Sequence, residues 1–119
     1  MRSPGEDYES RAARWLVARG MQLLARNFSC KTGEIDIIAR DREHLVFLEV
    51  RARSNRAFSS AAASVDRRKQ QRILRTAQLY LLRHPELACL PCRFDVIAFE
   101  PRQSGNTLRI RWIPGAFTA

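Results

Sequence analysis

The sequence predicts one α/β domain, a central mixed five-stranded sheet flanked by helices in the order α-β-β-β-α-β-β. Three observations carry this prediction. Two apolar runs, EIDIIARD and HLVFLEVRA, are separated by so few residues that an antiparallel hairpin is the natural reading. A strong amphipathic helix pattern from about Val65 to Arg83 follows them, and a crossover of that length allows the strands on its two sides to run parallel. Finally, 119 residues suit a single domain over 1–119, able to bury a core without help from a disulfide or cofactor.

Each element follows from its spacing. Residues 6–19 read as a helix because Tyr8, Ala12, Trp15, Leu16 and Arg19 recur at three- and four-residue intervals, and Gly20 is placed to end it. Glu9 lies on the edge of that apolar stripe. MQLLARNFSC reads as the first strand, with Asn27 a point of irregularity and Lys31-Thr32-Gly33 a turn. The hairpin strands come next, then SNRAFSSAAAS, a small-residue loop without periodicity. In the second helix Val65, Lys69, Ile73, Ala77, Tyr80 and Leu81 mark one face, and Pro85 stops it. CRFDVIAFE alternates Phe94, Val96 and Ala98 against Asp95, Ile97 and Phe99, and TLRIRWI alternates as clearly, with Gly105-Asn106 in the turn between them.

The chain carries a net charge of +9, and the excess is concentrated. Between positions 51 and 75, Arg51, Arg53, Arg56, Arg67, Arg68, Lys69, Arg72 and Arg75 face a single acid, Asp66. Such a concentration is the footprint of a protein that binds a phosphate backbone, so nucleic acid is the expected partner, ahead of a merely solvated helix face in an arginine-rich chain. No segment approaches the roughly 18 apolar residues of a membrane span, and no apolar stretch follows the N-terminus as in an export signal. With three cysteines, an odd count, the expectation is reduced thiols in the cytoplasm. Cys89 and Cys92 form a C-x-x-C, but a zinc site needs about four ligands, and the bland reading is two small apolar residues leading into a strand.

The acids inside the hairpin raise the chemical question. If Arg42-Glu43 is the turn, positions summing to 85 lie opposite one another, so Asp36 faces Glu49 and Glu34 faces Arg51. Opposed like charges about 5 Å apart are destabilising unless something offsets them. A divalent cation would do so, since Mg²⁺ or Mn²⁺ is held by carboxylates together with water and phosphate oxygens. Ion pairs with the many nearby arginines would do so equally well, and on residue types alone the two readings stand even. Glu9 could reach the same site if the first helix packs on that face.

GEDYESRAARWLVARG, RNF, GEIDIIARD, LVFLEVRARS, VDRRKQ, RFDVIAFE and WIPGAF together resemble the YraN-like family of uncharacterised bacterial proteins, in order and over nearly the whole chain. That family is assigned to the PD-(D/E)XK restriction-endonuclease-like fold and is similar to the archaeal Holliday junction resolvases. The resemblance implies a metal site from Asp36 and Glu49, an acid from the first helix at Glu9, and structured DNA as substrate. It leaves room for a homodimer. Arg51 departs from it, standing where the pattern has lysine, and arginine cannot accept a proton as a buried lysine can. Lys69, in the VDRRKQ segment, could supply the lysine, and Gln70 beside it could orient water or phosphate. Three functions therefore compete: a metal-dependent nuclease, a DNA-binding protein on a nuclease scaffold, and an interaction protein whose basic face meets an acidic partner.

Overall fold

The computed structural model describes residues 4–52, 65–101 and 108–118. Its elements are α1 (Pro4–Ala18), β1 (Gln22–Cys30), β2 (Gly33–Asp41), β3 (His44–Ala52), α2 (Arg67–Arg83), a short 3₁₀ turn (Pro85–Leu87), β4 (Cys92–Pro101) and β5 (Leu108–Phe117). The five strands form one sheet in sequence order, antiparallel throughout except for the parallel pair β3 and β4, which α2 connects. This is the predicted mixed sheet with helices, in the predicted order. Arg53, Arg56, the small-residue loop around them and the Gly105-Asn106 turn lie outside the described residues.

Local chemistry explains the boundaries. Gly20, at φ 92°, ends α1, with its own N–H on the Val17 carbonyl at 2.9 Å and the Met21 N–H on the Leu16 carbonyl at 3.1 Å. A side chain at that φ would be strained, which is the use of glycine there. The second helix begins two residues later than its apolar pattern, because Asp66 caps it, its Oδ1 accepting the Lys69 N–H at 2.9 Å. Buried Val65 precedes the cap. β5 runs longer than its alternating pattern, through Pro114 and Gly115. It can do so as an edge strand, and the extra residues are absorbed by a register shift opposite Phe94 and Val96.

Alternation along the central strands makes two apolar layers. Leu45 and Phe47, with Phe94, Val96 and Ala98, pack against Ile73, Ala77 and Tyr80 of α2. Val46 and Leu48, with Ile97 and Phe99, pack against Ala12, Ala13 and Leu16 of α1. The helices thus cover opposite faces, and the shared sheet is apolar on both sides. Each fully buried Ile, Leu or Phe contributes about 1.5–3 kcal/mol. The β1–β2 turn docks on α2 through Thr32 Oγ1 and Thr76 Oγ1, 2.8 Å apart, while Thr76 donates to the Arg72 carbonyl at 2.8 Å. No helix among the described residues is long and apolar enough to cross a membrane.

Candidate metal and nucleic-acid site

The hairpin has the register that a two-residue turn dictates: Asp41 pairs with His44, Ile38 with Phe47 and Ile37 with Leu48, with Arg42 in the turn at φ 50°. The ladder ends at Ile37 and Leu48. Beyond them the Asp36 side chain replaces the backbone, its Oδ2 accepting the Val50 N–H at 2.8 Å. Alternation breaks at the same place. Ile37 packs in the α1-side layer while Ile35, two residues away, packs in the α2-side layer. Asp36 sits at the break, so groups from both faces of the sheet can meet at its carboxylate.

They do. A pocket of about 200 Å³ is lined by Tyr8 and Glu9 of α1, Asp36 of β2, Glu49, Val50, Arg51 and Ala52 of β3, and Lys69 of α2. The condition that α1 pack on the face of Asp36 and Glu49 is not met, since α2 covers the Glu49 face. Glu9 nevertheless reaches the site, by way of the strand break. The expected pairing of Glu34 with Arg51 fails for the same reason. Glu34 pairs in the backbone with Ser29, and its carboxylate comes within 4.8 Å of those of Glu9 and Asp36.

Glu49 is the electrostatic centre. It is 2% exposed, and burial together with the Asp36 carboxylate beside it pushes its pKa from an ordinary 4.5 up to about 8, against the opposing pull of Lys69 and Arg51. Lys69 Nζ lies 3.4 Å from Glu49 Oε2. The other oxygen, Oε1, is buried and has no hydrogen-bond partner among the described residues, and the same holds for Arg51 Nε. Ion pairing therefore leaves one oxygen to a proton or a cation: below about pH 8 Glu49 holds a proton that the Asp36 carboxylate accepts, and above it a bare buried oxygen is costly. Among the described residues, the carboxylates that lie within 4.8 Å of one another are those of Glu9, Glu34 and Asp36, an oxygen-only set that suits a hard divalent cation, with Glu49 beside Asp36 at its edge.

Sequence reasoning missed two members of this cluster, Glu34 and the full part played by Asn27. Asn27, exposed and at φ 53°, lies with its amide against the acids. In the orientation that satisfies both ends of that amide, its nitrogen donates to Glu9 Oε1 at 2.7 Å and to Glu34 Oε1 at 3.0 Å. Asparagine is among the residues that tolerate this backbone region. Glu34 was legible in principle, since it stands two residues before Asp36 on the same strand.

The remaining expected residues divide clearly. Gln70 is turned away, its amide nitrogen donating to the Val65 carbonyl at 2.9 Å, so it fastens the entry of α2 and does not line the pocket. Arg67, Arg68, Arg72 and Arg75 are exposed along α2, the helix that brings Lys69 to the acids. Cys89 and Cys92 are exposed, each bonded to a nearby carbonyl, of Glu86 and Leu90.

Known sequences place the chain firmly. It is 47% identical over 116 residues to a UPF0102 protein of Alcanivorax borkumensis, covering 98% of this chain and 92% of that one. It is 50% identical over 114 residues to one from Saccharophagus degradans, covering 96% and 92%. With one from Methylobacillus flagellatus it shares 40% identity over 119 residues, the full length of both. The profile described as "Uncharacterised protein family UPF0102" matches residues 8–99, a span that holds Glu9, Glu34, Asp36, Glu49 and Lys69. By these matches, the chain belongs to the UPF0102 family.

Proposed function

We propose that this protein is a metal-dependent nuclease acting on structured DNA, with Glu9, Asp36 and Glu49 as holders of a Mg²⁺ or Mn²⁺ ion. The observation that carries the reading is Glu49 Oε1, buried against a second carboxylate in an open pocket and left unsatisfied by the lysine beside it. When bound, a divalent ion supplies Lewis acidity toward a phosphoryl oxygen and makes a nearby water more acidic. The protein's own groups do the rest. The Val50 N–H holds Asp36, and Asn27 holds Glu9 and Glu34, so the acids are oriented before substrate arrives. Lys69 and Arg51 set positive charge at the pocket, where it offsets phosphate charge. Lys69 is the one lysine among the described residues of the pocket, and lysine can take a proton where arginine cannot. The exposed arginines of α2 lead from Lys69 along the helix, a track for the phosphate backbone.

The test is cleavage of four-way, flapped, nicked and linear DNA with Mg²⁺ or Mn²⁺. Asp36→Asn and Glu49→Gln are expected to lower the rate at least a hundredfold. A wild-type protein inert on all four substrates with both metals overturns the reading.

Arg51 favours a second reading, a DNA-binding protein on a nuclease scaffold with weak or no catalysis. Here Arg51→Lys separates the two: cleavage gained by that change shows a site disabled at one position.

A further inference from the structure

Beside the acid pocket, α1 and β1 enclose a second groove of about 510 Å³. Its floor is aliphatic: Ala13, Val17 and Ala18 from the helix and Leu23 from the strand. Its rims are Arg14 and Arg26, both exposed, with the Arg26 Nη2 donating to Ser10 Oγ at 3.2 Å. No carboxylate lines it among the described residues. The groove also starts where the acid site ends. Ser10 follows Glu9 on α1, and Arg26 precedes Asn27 on β1, so both walls continue directly from residues of the acid cluster. From Ser10 to Ala18 the helix rises roughly 12 Å.

We propose that this groove holds an unpaired stretch of the DNA strand that enters the acid pocket. The inference rests on the nucleic-acid half of the proposed function and names the substrate feature recognised. Charge selects an anion, since both rims are cationic and no acid among the described residues lines the groove. The floor selects among anions. A duplex presents phosphates and mostly polar base edges to a protein, and apart from a thymine methyl neither gains from Val17 or Leu23. An unpaired base presents its faces, which lie on apolar surface and stack against guanidinium planes such as those of Arg14 and Arg26. The volume falls in the roughly 300–1,000 Å³ range of grooves that bury a small organic ligand, so it has room for a nucleotide and not for a duplex. Val17 is 52% exposed, an apolar side chain on the surface for which the groove gives a use.

The experiment measures binding of fluorescent single-stranded, flapped and blunt duplex DNA in EDTA, so that metal and cleavage play no part. Val17→Glu is expected to weaken binding of the single-stranded and flapped ligands at least tenfold and of the duplex less than threefold. Arg14→Ala and Arg26→Ala should each shift the same ratio in the same direction. Leu82→Glu, the same charge change at a 78% exposed position on the other helix, serves as the control and leaves the ratio as it is. Equal losses on all ligands, or no loss for Val17→Glu, overturn the groove. So does a poly-glutamate peptide whose binding is sensitive to Val17→Glu while DNA binding is not, an outcome that assigns the groove to an acidic protein. Separate Mn²⁺ titration and cleavage of the wild type report on the nuclease reading by itself: cleavage with a neutral Val17→Glu removes only the groove. Absent metal binding and cleavage with the tenfold loss intact removes only the nuclease.

Discussion

Asp95 and Glu49 are both carboxylates buried on the parallel pair β3 and β4, one register step apart, since Asp95 stands opposite Leu48 and Glu49 opposite Val96. Asp95 is fully enclosed, and both its oxygens are bonded. Oδ1 accepts the Gly115 N–H at 2.9 Å and Arg93 Nε at 3.0 Å, and Oδ2 accepts Trp112 Nε1 at 2.9 Å and Arg93 Nη2 at 3.1 Å. Arg93 is held in turn, its pKa raised chiefly by its hydrogen bond to Asp95. Glu49 has one cation at 3.4 Å, a second carboxylate where a donor would be expected, and one bare oxygen. The first arrangement ties β5 to β4. The second leaves an oxygen open to a ligand, so the two buried acids differ in how fully they are satisfied and not in burial.

The largest way to break this contrast is to remove Asp95. Asp95→Ala leaves Arg93 and Trp112 without their acceptor and should cost about 3–5 kcal/mol, read by urea unfolding. Glu49→Gln should do the opposite in kind: a gain in stability near neutral pH, since the amide carries no charge to bury, with Mn²⁺ affinity lowered at least tenfold by calorimetric titration. A large loss of stability from Glu49→Gln would place the two acids in the same class.

Titration sharpens the contrast further. The folded pKa of Glu49, about 8, lies above its ordinary 4.5, so the folded protein holds this proton more tightly than the unfolded chain. The resulting stabilisation is full below about pH 4.5 and is lost as pH rises through about 8. Unfolding free energies of wild type minus Glu49→Gln should therefore fall across that window. Millimolar Mg²⁺ should reduce the fall, because the ion favours the ionised carboxylate. The smallest effect is expected at Lys69: its side chain is 38% exposed, so Lys69→Ala should change stability by less than about 1 kcal/mol while weakening DNA binding.

Much of the site was legible in the sequence. The two-residue turn and strict alternation set the hairpin register, and with it the meeting of Asp36 and Glu49, since both are properties of adjacent residues. The order of elements and the crossover role of α2 follow from periodicity of the same local kind. Other features depended on contacts distant in sequence. Alternation predicts that Glu34 faces Arg51, and it fails where Asp36 breaks the pleat to bind the Val50 N–H. Glu9 meets the acids from the face opposite the one expected, and Gln70, beside Lys69 in the chain, turns to the Val65 carbonyl instead.

By itself the sequence determined the strands, the helices, the basic helix and the opposition of two acids, all through spacing along one stretch of chain. Only the tertiary structure decided that Lys69 reaches Glu49, that Asn27 and Glu34 join the cluster, and that one oxygen of Glu49 stays bare. Those outcomes rest on how two helices seat on opposite faces of a sheet, and side-chain partners across such packing are set by the whole core, not by neighbours in the chain.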